Sequence, residues 1–125
     1  MSVQLATDRV SVLVVDDSED QRDLLRRHFE RAGCDVVTAA TAEEALLIVD
    51  VDRPELMVID LLLPGIDGWE LARHMRTDYP DCPVAISSVL QEDTYPEAHA
   101  SLPKPFSGAH IRRVLGECVP RWAAA

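Results

Sequence analysis

Val10-Ser-Val-Leu-Val-Val-Asp-Asp17 is apolar almost throughout and then stops on two carboxylates. A short run of this kind suits a strand buried on both faces of a parallel sheet, where no solvent-facing alternation is needed. The next stretch is helical. Ser18 can cap it, Leu24, Leu25, Phe29 and Ala32 fall on one face, and Gly33 supplies a stop. Strand followed by helix is the unit from which the rest of the chain can be read.

The unit recurs. Asp35 to Ala39 is a second short β candidate, and Thr41-Ala-Glu-Glu44 is a capping box that opens an apolar helix running through Val49. Pro54 separates that helix from Leu56-Met-Val-Ile-Asp60, a third strand that again ends on a carboxylate. Leu63-Pro-Gly-Ile-Asp-Gly68 is loop chemistry, and Trp69 to Arg76 reads as a helix with Leu71, Ala72 and Met75 inward. Val84-Ala-Ile-Ser-Ser88 is a fourth strand ending on a hydroxyl. Lys104-Pro-Phe106 precedes Ser107, a cap for a last helix bearing Ile111, Val114, Leu115 and Cys118. Strands and helices that alternate over short connections imply an α/β sheet with helices on both faces, because crossovers between parallel strands are right-handed.

With 125 residues, the chain has room for one sizeable core, and a single domain spanning 1–125, with a core of about 10–119, is expected. The formal charge of −10 leaves no basic excess for a phosphate backbone or an anionic bilayer, so direct nucleic-acid and membrane partners are disfavoured. Cys34, Cys82 and Cys118 show neither zinc nor dithiol spacing and read as reduced, buried thiols. Without a leader pattern or a bilayer-length apolar run, a cytoplasmic location is expected.

In open α/β sheets the ligand site lies beyond the carboxyl ends of the strands. Here those ends carry Asp16 and Asp17, Asp60, Ser88 and, near the fifth, Lys104. Three carboxylates at one sheet edge repel one another unless a cation joins them, and hard oxygen donors suit Mg2+, with Mn2+ an acceptable substitute. A carboxylate is also a competent nucleophile toward phosphorus, and phosphoryl transfer needs positioning and charge neutralisation more than acid–base groups. Taken singly, each residue reads as an ordinary turn, cap or strand end. Taken together, four strand ends offer the required groups in a consistent order.

On these motifs the chain resembles the response-regulator receiver family over about Val10 to Val119. The resemblance rests on Val-Leu-Val-Val-Asp-Asp17, Met-Val-Ile-Asp60 with Leu-Leu-Leu-Pro-Gly-Ile-Asp-Gly68, Pro83-Val-Ala-Ile-Ser-Ser88 and Lys104-Pro-Phe106. It implies a flavodoxin-like, doubly wound, five-stranded parallel sheet, (βα)5, in which Asp60 is phosphorylated by a sensor histidine kinase or a histidine phosphotransfer protein. By the same resemblance, Asp17, Asp60 and the backbone carbonyl of Leu62 bind Mg2+ directly and Asp16 does so mainly through water. Ser88 becomes the switch hydroxyl, Lys104 the ionic partner of the phosphoryl group, and the Lys104–Pro105 bond is expected to be cis. Such a protein accepts and loses its own phosphoryl group and is not otherwise an enzyme. Partner contact is expected on the first helix around Glu19, Arg22 and Arg26.

Several positions depart from the family pattern. Only 15 residues lie between Ser88 and Lys104, so the fourth helix must be short or missing. Thr94 with Pro96 and Glu97 suggests a one-turn start running to Ala100, and the fifth strand reduces to Ala100 to Pro103. Ser101 stands where the family places a switch aromatic. Tyr95 is a candidate substitute, against the plainer reading of a surface tyrosine. Val89 is β-branched where the family prefers a very small residue. Leu62 and Leu90 flank the position of the attacking water, which predicts slow self-dephosphorylation or, more plainly, a covered pocket rim.

The competing reading is a pseudo-receiver that binds a partner without phosphorylation, favoured by the shortened 89–103 stretch and opposed by the intact acids, hydroxyl and lysine. A haloacid-dehalogenase-type hydrolase wants a second Asp where Leu62 stands. A flavin-binding flavodoxin wants phosphate donors where the first strand ends in acids. The early stop at Trp122-Ala-Ala-Ala125 and the initial Met1 suggest a stand-alone receiver, with an excised piece of a longer protein as the alternative.

Overall fold

Side chains of the first strand, β1 (Val10–Val15), go alternately to two separate cores. In the computed structural model, which describes residues 9–124, Val10, Val12 and Val14 join one core while Leu13 and Val15 join the other. Residues 1–8 and Ala125 lie outside the described residues. The alternation is the strand's period of two acting where both faces are covered. It accounts for the unbroken apolar run in the sequence.

The other strands are β2 (Cys34–Ala39), β3 (Leu56–Ile59), β4 (Val84–Ile86) and β5 (Ala100–Ser101). They pair in the order β2-β1-β3-β4-β5, all parallel. Helices α1 (Glu19–Arg31) and α4 (Gly108–Cys118) supply Leu25, Phe29, Ile111, Val114 and Leu115 to the first core. Helices α2 (Ala42–Val51) and α3 (Gly68–Asp78) supply Ala45, Val49, Leu71 and Met75 to the second. This is the expected doubly wound, flavodoxin-like architecture. Each fully buried Leu, Ile, Phe or Met contributes about 1.5–3 kcal/mol through removal from water. No helix among the described residues is long and apolar enough to cross a membrane.

Local chemistry sets the helix boundaries. The Ser18 hydroxyl accepts from the Gln21 N–H at 3.3 Å to start α1, and Gly33, at φ +91°, ends the turn that follows it. Thr41 caps α2, but the returning Glu44 carboxylate takes the Ala40 N–H at 2.7 Å rather than that of Thr41. Asp67 accepts from the Glu70 N–H at 2.9 Å, so α3 begins at Gly68, one residue before the expected start at Trp69, and runs on to Asp78. Ser107 and His110 form a reciprocal capping box at α4. Beyond α4, the short helix α5 (Pro120–Ala124) returns Trp122 to the first core, where its Nε1 donates to Ala32 O at 2.8 Å.

The connection from β4 to β5 lacks an α-helix, as its length requires. The expected helical start at Thr94 is corrected: a single 3₁₀ turn lies earlier, at Glu92–Thr94, and residues 95–99 are not helical. Pro96 is the physical reason. A residue preceding proline is pushed out of the helical region, and Tyr95 sits at φ −70°, ψ 145°. The resulting strap is held by tertiary bonds, with Trp69 Nε1 donating to Thr94 O at 2.9 Å and Arg76 Nη1 to Glu97 O at 3.3 Å. Strand β5 spans Ala100–Ser101, shorter than the expected Ala100 to Pro103 because Pro103 brings no N–H to the ladder. Pairing continues past it through the Leu102 N–H to Ile86 O at 2.7 Å.

Candidate phosphoryl-acceptor site

Strand order reverses beside β1, since β2 lies on one side of it and β3 on the other, and in open α/β sheets ligands bind at the carboxyl ends at such a point. Register then decides which residues meet. Val15 pairs with Ile59, and Ile59 with Ile86, so the residues that follow leave the sheet side by side. The Asp60 N–H donates to Val15 O at 2.9 Å, and the Asp16 N–H to Ala39 O at 3.1 Å. The Lys104 N–H donates to Ser88 O at 3.0 Å, which brings the segment after β5 to the same end. Asp16, Asp17, Asp60, Ser88 and Lys104, singled out from sequence at separate strand ends, are thus gathered at one edge.

Ligand oxygens of Asp16, Asp17 and Asp60 lie within 4.8 Å of one another. Asp16 and Asp60 are only 1% and 6% exposed, whereas Asp17 faces solvent. The Lys104 ammonium sits 2.8 Å from Asp16 Oδ2 and 3.8 Å from Asp60 Oδ2. Asp60 Oδ1 also accepts from the Leu62 N–H at 3.3 Å. Burial raises the pKa of Asp60 above the usual carboxylate value and the nearby Asp16 and Asp17 add to the rise, while Lys104 and the Leu62 N–H oppose it. Three carboxylates against one ammonium leave an excess of two negative charges, which a divalent cation would balance. An all-oxygen, partly exposed cluster of this size fits Mg2+, which keeps several waters when bound to protein carboxylates.

Ser88 is fully buried, and its Oγ accepts from the Leu90 N–H at 3.2 Å, so its own hydrogen remains available to an acceptor. Its carbonyl receives two donors, the Lys104 N–H and the Tyr95 hydroxyl at 2.9 Å. Tyr95 is thus neither free nor fully exposed: it packs against the second core, and burial pushes its phenol above the usual value. Ser101 is half-buried, and its hydroxyl donates to Glu92 Oε2 at 2.8 Å. Val89 is 68% exposed and Leu62 49% exposed, with Leu90 half-buried between solvent and the second core. The Lys104–Pro105 bond is cis, as expected.

Three features of the site's packing and bonding were not evident from the sequence. Gly68 lies directly against the Asp60 backbone, where a Cβ would fall 2.3 Å from Asp60 O and 2.5 Å from Leu61 Cα. The only sequence signal was a glycine following a capping aspartate. The Ser87 hydroxyl, buried beside Ser88, has no hydrogen-bond partner among the described residues. On α1, Glu19 is exposed, but Arg22 Nη1 donates to Asp16 O at 2.8 Å, and Arg26 Nη1 donates to Val36 O at 3.1 Å. Arg22 is therefore bonded to the backbone just past the end of β1 and Arg26 to the middle of β2, which the helical pattern alone does not reveal.

Comparison with known proteins gives a consistent result. A family model described as the response regulator receiver domain matches residues 12–115. The alkaline phosphatase synthesis transcriptional regulatory protein PhoP of Bacillus subtilis is 38% identical over 82 residues, covering 66% of this chain and 34% of that protein. Response regulator MprA of Mycolicibacterium vanbaalenii is 36% identical over 121 residues, covering 89% of this chain and 52% of that protein. This chain therefore spans about half the length, or less, of these curated relatives. Among solved structures, chemotaxis protein CheY4 of Vibrio cholerae superposes with a TM-score of 0.80 at 26% identity, covering 89% of this chain and 99% of that one. The receiver domain of NtrX from Brucella abortus gives 0.81 at 28% identity, with 87% and 98% covered.

Proposed function

Because the chain belongs to the response regulator receiver family, we propose that its phosphoryl acceptance in a two-component system occurs at Asp60, in a Mg2+-dependent reaction with a phosphohistidine donor. The observation that carries this reading is the convergence of Asp16, Asp17 and Asp60 within 4.8 Å, with the Lys104 ammonium against them. In this reading Asp17, Asp60 and the Leu62 carbonyl hold the ion directly, and Asp16 holds it mainly through water. Held by these groups, a Mg2+ ion would supply positive charge to the oxygens of the transferring phosphoryl group.

The side chains do the rest. An Asp60 carboxylate oxygen attacks phosphorus in line. The new O–P bond forms as the P–N bond of the donor breaks, and the electron pair leaves on the imidazole nitrogen. Lys104 is within reach of both acids and can turn its ammonium to a phosphoryl oxygen once Asp60 is esterified. The Ser88 hydroxyl, with its hydrogen uncommitted, donates to another. Leu62 and Leu90 offer no group to orient water behind the phosphoryl, which supports a slow loss of phosphate. The donor is a sensor histidine kinase or a histidine phosphotransfer protein of the cytoplasm, approaching over the α1 side near Glu19. A net charge of −10 disfavours direct nucleic-acid contact by this chain, and the transcriptional role in the relative's name is that protein's.

Labelling with acetyl phosphate and with a panel of histidine kinases tests the reading. One phosphoryl group per chain is expected with Mg2+, none in EDTA, and none in Asp60→Asn. Absence of label from every donor would instead favour a phosphorylation-independent binding module, and full labelling of Asp60→Asn would move the acceptor elsewhere.

A further inference from the structure

Asp16 is held at every polar atom. Its N–H donates to Ala39 O at 3.1 Å, its Oδ1 accepts from the Ser18 N–H at 3.0 Å, and its Oδ2 takes the Lys104 ammonium at 2.8 Å. The last of these atoms, the main-chain carbonyl, accepts from Arg22 Nη1 at 2.8 Å. Arg22 is half-buried on α1, whose start is fixed by the Ser18 cap, so its guanidinium reaches back from a rigid base. Asp17 differs from Asp16. Its carboxylate is exposed, and no hydrogen bond or ion pair among the described residues orients it.

The carbonyl that Arg22 holds belongs to the peptide plane joining the two acids. A peptide unit is rigid, so fixing the Asp16 C=O also fixes the Asp17 N–H, and only φ of Asp17 then stands between the anchored plane and its Cβ. The backbone therefore fixes where the Asp17 side chain starts and narrows the directions its carboxylate can take, with χ1 and χ2 left to turn toward a ligand. Mg2+ demands near-ideal octahedral geometry at short distances and tolerates little misplacement of a ligand. We propose that Arg22 is a positioning residue for the metal site: by holding the Asp16 carbonyl it fixes the peptide between the acids and aims Asp17 at the ion. This rests on the Mg2+ reading above.

A guanidinium beside a cation site also has an opposite effect. Its charge repels a divalent ion, so a purely electrostatic role predicts that removing Arg22 tightens Mg2+ binding. Positioning predicts that removal weakens it. The two roles differ in sign, which makes the inference decidable by a binding measurement that needs no phosphoryl transfer.

The experiment is calorimetric Mg2+ titration of the full chain as wild type, R22Q, R22K and D17N, with thermal melts in EDTA to establish folding. R22Q is expected to bind Mg2+ about tenfold more weakly, the loss typical when an outer-shell partner of a metal ligand is removed. R22K keeps a long-stemmed donor without the fork and is expected to fall between R22Q and wild type. In acetyl phosphate labelling, R22Q should need more Mg2+ for half-saturation yet reach the wild-type rate at saturation. A folded R22Q that binds Mg2+ as tightly as wild type, or more tightly, overturns the inference. Should R22Q fail to melt cooperatively, R22K decides, and wild-type affinity there overturns it. Wild type that binds no Mg2+, or D17N that binds like wild type, removes the metal reading itself and this inference with it.

Discussion

Asp60 carries its carboxylate where burial and two neighbouring acids disfavour charge, relieved only in part by Lys104 and the Leu62 N–H. Its proton is therefore held more tightly in the folded protein than in the unfolded chain. The contribution of this group to stability is fully present below the unfolded carboxylate pKa and is lost as pH rises through the raised folded value. Metal-free Asp60→Asn should accordingly gain more in Tm over wild type at about pH 7 than at about pH 3, where both carry a neutral group. Equal gains at both pH values would mean that Asp60 is not strained in its charged form. Leu62 invites a second measurement at this scale. Leu62 is 49% exposed, and if Asp60 is the acceptor as proposed, Leu62→Asn would place a water-orienting amide beside the phosphoryl and should shorten the aspartyl-phosphate lifetime several-fold. An unchanged lifetime would leave Leu62 as rim cover. The convergence of Asp16, Asp17, Asp60, Ser88 and Lys104 was legible in sequence because strand ends in a parallel sheet meet by register. The bond from Arg22 to Asp16 O was not, because its acceptor is a main-chain atom outside the helix that carries Arg22.

The start of α3 is set by packing against the Asp60–Leu61 backbone as much as by its cap. Gly68 donates its N–H to Leu61 O at 3.0 Å while its Cα passes so close that any Cβ would overlap Asp60 O. Gly68→Ala is expected to cost about 3 kcal/mol or more, since overpacking against backbone cannot be relieved by a rotamer change. Urea unfolding measures it, and a loss under about 1 kcal/mol would show that the loop gives way freely. The β4–β5 connection shows the limit of local reading at this scale. Counting residues showed that no full helix fits between Ser88 and Lys104, but the remaining turn was misplaced because Pro96 was taken as the start of a helix. It ends one instead, by forcing Tyr95 into the extended region. Trp69, Arg76 and Tyr95 hold the strap through atoms distant in sequence, and no periodicity encodes such bonds.

Two cores, one on each face of a single sheet, enclose all three cysteines: Cys34 and Cys118 in the first, Cys82 in the second. Burial pushes each thiol up to about 11, so almost no thiolate exists near neutrality. A chromogenic disulfide reagent is expected to find no reactive thiol in the native protein and three after denaturation; rapid native reaction would show that a core opens readily. The fold as a whole was legible because the apolar runs, caps and strand ends all pointed to one architecture. The terminal helix and the docking of Trp122 were not, since a short Pro-Arg-Trp-Ala-Ala segment carries little pattern of its own. One last consequence comes from the outer strands. Arg26 occupies the Val36 carbonyl on β2, and Arg113 Nη2 occupies the Ser101 carbonyl on β5 at 3.1 Å, with β5 only two residues long. A foreign strand therefore meets an arginine on a carbonyl at either margin of the sheet, and the molecule is guarded against growing by main-chain templating.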